Sequence, residues 1–164
     1  MIAKSYISQN LDRIERLYIR ARSVKSGLFY SKLAILELGG WIEMSMDDIV
    51  RRQAKRILHE PASLSKVEQI IKKTYGFDYD FHFRRMLIQV IGLVGVEKFE
   101  RLIDPAKFHA MSATLNSIKA YRDQEAHEYT KGITRILDAP SVTKSKFVTI
   151  YDGLIDIERV LKKL

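Results

Sequence analysis

Cysteine is absent from the 164 residues of this chain. That excludes disulfides and every thiolate metal site. Proline is scarce as well, at three residues, and the eight glycines fall mostly near expected element boundaries. Strand-like alternation of useful length is missing, which argues against a sheet. The longest apolar stretch, near Met86 to Val96, is interrupted by Gln89. It falls short of the roughly 20 residues needed to cross a bilayer, so no membrane association is expected. The opening Met1-Ile2-Ala3-Lys4-Ser5 lacks the apolar core of a secretory leader, and a cytoplasmic location is the expectation. There is no Gly-rich phosphate loop, no His-Glu-x-x-His and no Gly-x-Ser-x-Gly, which removes the usual signatures of NTPases, zincins and serine hydrolases. His59, His82 and His109 are scattered, and none follows a Glu by three residues as in carboxylate-bridged di-iron bundles. No metal and no cofactor is called for.

What remains is ordinary in bulk and uneven in charge. Hydrophobic residues make up 46% and charged residues 29%, the balance of a globular protein. The length suits one domain, residues 1–164, with a substantial core. The net charge is +8 and the pI about 9.6. Such an excess favours a polyanionic partner, nucleic acid before others.

Apolar spacing is helical throughout. A first helix is expected from about Ser5 to Val24, with Ile7, Leu11, Ile14 and Tyr18 on one stripe and an end at Ser26-Gly27. A long second helix from about Phe29 to Leu58 stops at Glu60-Pro61. Ser65-Lys66-Val67-Glu68 has the form of a capping box opening a third, closed by Tyr75-Gly76. A fourth, about Phe81 to Val94, is apolar nearly all round and so expected at the centre, with Gly95 ending it and a brief turn over Val96 to Ile103. Asp104-Pro105 is a strong helix start. The helix it opens sends Met111, Leu115 and Ile118 inward and continues past residue 127 to Leu137. Ala139-Pro140 ends it, and a last helix runs from about Ser145 with Phe147, Ile150, Leu154, Ile157 and Leu161 on its apolar face. The chain therefore reads as all-α, a bundle of five or six helices with short connections.

One stretch carries chemistry. Arg122-Asp123-Gln124-Glu125-Ala126-His127 puts a permanent cation, a carboxylate and an imidazole within six residues. Arg offers phosphate a planar fork of donors. His moves protons near neutral pH. On an unbroken helix Asp123 and His127 share a face, whereas Arg122 and His127 point about 140° apart. Convergence needs either a break near Asp123 or two copies facing one another. The Arg-x4-His spacing, with a polar residue after the Arg and an Ala before the His, resembles the signature of the HEPN superfamily, in particular RiboL-PSP-HEPN-like domains. That resemblance implies a HEPN-like helical bundle of up-down topology and a site shared across a homodimer. It also implies metal-independent endoribonuclease activity on single-stranded RNA. In that scheme His127 is the general base or acid, Arg122 holds the phosphate and Asp123 orients the imidazole. Attack by the 2′-hydroxyl leaves a 2′,3′-cyclic phosphate. Relatives often serve in toxin–antitoxin or antiviral defence systems, so an antitoxin protein is an expected partner. Some relatives are non-catalytic modules that bind RNA, a nucleotide or a protein.

Two further clusters suit RNA. Arg51, Arg52, Lys55 and Arg56 end the long helix, as backbone contacts or as cations that complement the helix dipole and pair with Asp47 and Asp48. Arg84 and Arg85 follow the aromatic run Phe77, Tyr79, Phe81 and Phe83, which offers stacking plus charge for single strands or simply core. Glu37, inside the apolar segment around Gly39-Gly40-Trp41, needs a buried partner and reads as structural.

Overall fold

A computed structural model describes residues 1–127 and 137–164. Within them six α-helices form the fold: α1 Ser5–Ile19, α2 Val24–Ile57, α3 Pro61–Lys72, α4 Arg84–Leu102, α5 Pro105–His127 and α6 Pro140–Leu161. A π-helical turn, Tyr79–Phe83, leads into α4. No strand occurs among the described residues.

α2 is the spine. It packs against α1, α3, α4, α5 and α6, and at about 1.5 Å per residue it is roughly 50 Å long. Its inward face is mostly apolar, with Ala34, Leu38, Ile42, Ile49 and Val50 buried alongside Ser31, Ser45 and Gln53. The α5 stripe Met111, Leu115 and Ile118 packs there as its spacing demands. Each such side chain contributes about 1.5–3 kcal/mol by leaving water.

Helix boundaries depart from the sequence reading where capping chemistry was misassigned. α1 stops at Ile19, and α2 begins at Val24 because Ser23 is its N-cap, accepting from Ser26 N–H at 3.1 Å. Ser26 and Gly27 thus start α2 rather than end α1, and Gly27 gives Tyr18 room to cross. Pro61 is the first residue of α3, so Glu60-Pro61 both ends one helix and opens the next. Glu68 does not cap α3; it binds Arg51. Pro140 likewise opens α6, ahead of the expected Ser145. The Asp104-Pro105 start is as expected, with Asp104 Oδ1 accepting from Ala106 and Lys107 N–H at 2.9 and 3.1 Å.

α4 differs most. It continues to Leu102, through Gly95, and its break lies at Gly92, whose φ of 72° is left-handed. That turn rotates Leu93 and Val94 outward, where both are exposed, while Leu87 and Val90 are buried. The helix is central only before the break. Beyond it Val96 and Phe99 return to the core.

Between α3 and the π-turn, Gly76 takes a φ of 116°, and His82 lies against it. His82 Nδ1 accepts from Asp78 N–H at 3.2 Å, which gives this histidine a structural task. Among the described residues no helix is long and apolar enough to cross a membrane.

Candidate functional site

α5 runs unbroken through His127, so a kink near Asp123 does not bring Arg122 and His127 together. The His127 side chain lies outside the described part of the structure, as do Gln124 and Ala126. Ile133 and Ile136, expected to extend this helix, lie outside it as well.

Arg122 continues the Met111–Leu115–Ile118 stripe to the edge of the core. Its stem crosses α2 at Gly39, where an added Cβ would stand 3.2 Å from Arg122 Cγ. Its guanidinium sits over the Phe77 ring, 5.2 Å from the centroid. Nη2 donates to Glu43 Oε1 on α2, and Nη1 faces Asp123 Oδ1 at 3.0 Å. Asp123 also faces Lys119 at 3.8 Å. Three elements therefore fix one cation: α5 supplies it, α2 supplies its acceptor and passage, and the segment after α3 supplies the ring beneath. Asp123 holds Arg122, and that engagement competes with the imidazole-orienting role expected for it. Alongside, Glu125 is buried and paired with Lys32 of α2 at 3.6 Å.

One turn beyond Glu43, burial pushes the Asp47 carboxyl up to about 6, despite the nearby Arg51 and with Glu43 adding to the rise. Glu43, Asp47, Asp48 and Glu68 are acidic neighbours, but no group of His, Asp and Glu among the described residues has metal-binding geometry.

The α2 basic cluster is largely committed inside the molecule. Arg51 donates to Glu68 at 3.0 and 3.1 Å and to Asp48 at 3.2 Å. Arg52 pairs with Glu158 at 3.0 Å and Asp48 at 3.8 Å. Arg56 donates to the carbonyls of Leu161 and Lys162 at 3.0 and 2.6 Å, capping α6. Burial would raise the Glu158 carboxyl, but the amino terminus, Arg52 and Lys162 outweigh it and hold it low. Lys55 is exposed and, unlike the three arginines, makes neither a hydrogen bond nor an ion pair among the described residues.

The second cluster divides. Arg84 is bound by Glu100 at 2.7 and 3.2 Å. Arg85 is exposed and stacks over Phe81 at 5.5 Å. Phe77, Tyr79 and Phe83 are core, whereas Phe81 faces solvent. Glu37 is half-buried rather than buried, and it accepts from Asn10 Nδ2 of α1 at 3.1 Å in an exposed contact.

Sequence reasoning missed two things. Glu43 meets Arg122 across 79 residues, and no local spacing announces such a pair. Its only trace is Gly39 four residues earlier, the small residue that admits the Arg stem. Also missed is a cleft of about 600 Å³ between the π-turn, the end of α4 and the start of α5. Tyr79, Phe81 and Phe108 line it, and Ser112 and Asn116 face it from α5. Comparison with family models, with curated proteins and with solved structures finds no match to this chain.

Proposed function

We propose that this chain is a HEPN-type, metal-independent endoribonuclease working as a homodimer on single-stranded RNA. The observation that carries the reading is Arg122: a guanidinium set by α2, α5 and Phe77 at the rim of the core, beside Asp123 and five residues before His127. A fixed, partly exposed fork of donors suits a phosphate whose charge grows in the transition state.

Continuity of α5 favours the two-copy arrangement, since one straight helix turns Arg122 and His127 apart. A surface for pairing adjoins the site. Phe29, Leu33 and Met44 are exposed on α2, in a stripe that includes Gly40, above which there is open space. The stripe runs beside Glu43, so a twofold axis through it duplicates Arg122, Asp123 and His127 in one cleft. In the proposed reaction one His127 takes the proton of the 2′-hydroxyl as that oxygen attacks its own phosphorus. The partner subunit's His127 gives a proton to the departing 5′-oxygen. The products are a 2′,3′-cyclic phosphate and a 5′-hydroxyl end, and DNA resists. Of the two basic clusters, Lys55 and Arg85 are the cations left to attract the backbone, with Arg51, Arg52, Arg56 and Arg84 already held by protein acceptors. A role in toxin–antitoxin or defence systems, with an antitoxin partner, accompanies this reading.

One observation favours a second reading. Both ends of the Arg122 fork are occupied by carboxylates, as in a non-catalytic module that binds RNA, a nucleotide or a protein. The deciding experiment incubates purified protein with mixed single-stranded RNA in EDTA, comparing wild type with His127→Ala. Cleavage by wild type alone, leaving cyclic ends, supports the enzyme. Intact RNA with folded, dimeric protein supports the module.

A further inference from the structure

The cleft beside the π-turn has the composition of a ligand site, and it lies apart from Arg122. Its volume, about 600 Å³, is within the range of small-molecule sites, roughly 300–1,000 Å³. Two walls are aromatic. Tyr79 and Phe108 meet edge to face, with ring centroids 4.6 Å apart and planes at 78°, and Phe81 stands at the mouth, more than half exposed.

The polar groups sort into spent and free. Glu100 is spent, since it binds Arg84 twice and accepts from the Tyr79 hydroxyl at 3.0 Å. Asp78 is spent too, as its carboxylate caps the π-turn by accepting from Phe81 N–H at 2.9 Å. Asp80 and Asn116 are exposed and make no hydrogen bond or ion pair among the described residues. Ser112 Oγ is buried and has no hydrogen-bond partner there either. The free set is therefore one carboxylate that only accepts, one amide that donates and accepts, one hydroxyl, and the imidazole of His109, which meets the Phe108 ring edge to face at 6.0 Å. Flat apolar walls with that set match a planar heterocycle bearing an amino group beside a ring nitrogen. A quaternary ammonium ion has no donor or acceptor of its own, so it would use the carboxylate and the rings but leave the amide idle.

We infer that this cleft binds an unpaired nucleobase whose Watson–Crick edge carries an exocyclic amine beside an acceptor ring nitrogen, adenine or cytosine. The base lies against Phe108 and Phe81, its amino group donates to Asp80, and Asn116 reads the neighbouring ring nitrogen. Amide and carboxylate are the side chains that read such edges elsewhere, and stacking on aromatic rings is the general means of holding unpaired bases. Arg85, exposed and stacked on Phe81, stands at the mouth where the attached phosphate emerges. The inference uses none of the Arg122 site residues and holds or fails separately from the cleavage reaction.

The test is binding by full-length His127→Ala protein, which leaves RNA intact whether or not the wild type cleaves. Adenosine, cytidine, uridine and choline are titrated while amide NMR shifts are followed. Oligo(A) and oligo(U) form a second arm that distinguishes a base within RNA from a free nucleoside. The expected result is saturable binding of adenosine or cytidine, at least about tenfold tighter than uridine, the factor set by one lost hydrogen bond to a charged group. Shifts should be centred on residues 78–81 and 108–116. Asp80→Asn and Asn116→Ala, both at exposed positions, should each weaken it severalfold without changing Tm. Oligo(A) binding tighter than adenosine assigns the cleft to RNA; equal binding assigns it to the free nucleoside. Uridine or choline binding as well as adenosine, or no shift at millimolar ligand, overturns the inference.

Discussion

Arg122 of α5 is held by Glu43 of α2, so the cation of the candidate site is positioned by a residue 79 places earlier in the chain. Gly39 lets the stem pass and Phe77 supports the guanidinium from below. The pair is partly exposed, at 25% and 37% of the two side chains, so its contribution to stability is small, about 0.5–1 kcal/mol. A double-mutant cycle of Glu43→Gln and Arg122→Gln in urea should return a coupling of that size. A coupling of zero would mean that the contact does not hold the Arg. If Arg122 also stabilises the transition state, Arg122→Lys should lose about 100-fold or more in cleavage, because a point charge replaces the fork.

Asp47 gives the fold a dependence on pH. Its carboxyl is raised from 3.8 to about 6, chiefly by burial. The folded state thus binds this proton more tightly than the unfolded chain. The associated stability is present below pH 4 and is lost as pH rises through 6. Asp47→Asn removes the charge that the fold disfavours. It should raise Tm by about 2 °C at pH 7.5 and leave it unchanged near pH 3.5. An equal rise at both values would refute the account.

Gly153 and Met111 set the closest approach of α5 and α6. A Cβ at Gly153 would lie 2.6 Å from Met111 Cβ. Gly153→Ala should therefore destabilise by about 1–2 kcal/mol, since three contacts under 3.0 Å put overpacking at about 2–3 kcal/mol against a helix-propensity gain of about 1. Truncating Met111 to Ala should not rescue it, because the nearest atom is the Cβ that Ala retains. Chemical denaturation of the two single variants and the double variant decides this.

Asp156, buried on α6, accepts from Asp104 N–H at 2.9 Å and pairs with Arg159. It ties the α4–α5 connection to the last helix. Asp156→Ala strands that N–H and should cost about 1–3 kcal/mol in urea unfolding. A smaller loss would indicate that the connection relaxes to water.

Local signals were legible and long-range ones were not. Asp104-Pro105 marked the start of α5 because cap and first-turn residue are adjacent in sequence. The Met111–Ile118 stripe pointed inward because three-four spacing is a property of one helix. In the sequence Pro61 and Pro140 read only as stops, whereas each is the first residue of a helix, α3 and α6. Gly92 and Gly95 are equally plausible breaks in the sequence, and only packing places the left-handed residue at Gly92. The fate of Arg51, Arg52 and Arg56 depended on acceptors from α3 and α6. In the candidate site the placement of Arg122 at the core edge was visible from its stripe, but Glu43, Phe77 and the aromatic cleft come from distant segments.

The contact of Gly153 with Met111 also limits how the candidate site can move. Shifting one helix along another by a full turn means a slide of about 5.4 Å, and the seated methionine blocks that slide. α5 is pinned in its first half, at Met111, and its far end, with Arg122 and Asp123, is moored by charge to α2 and by a ring to the segment after α3. A ligand that repositions these groups must do so by tilting or unwinding the last turns of α5. The lever is short, the fulcrum is fixed, and the moorings are ionic. Ionic strength should therefore loosen the working end of the helix before it disturbs the core.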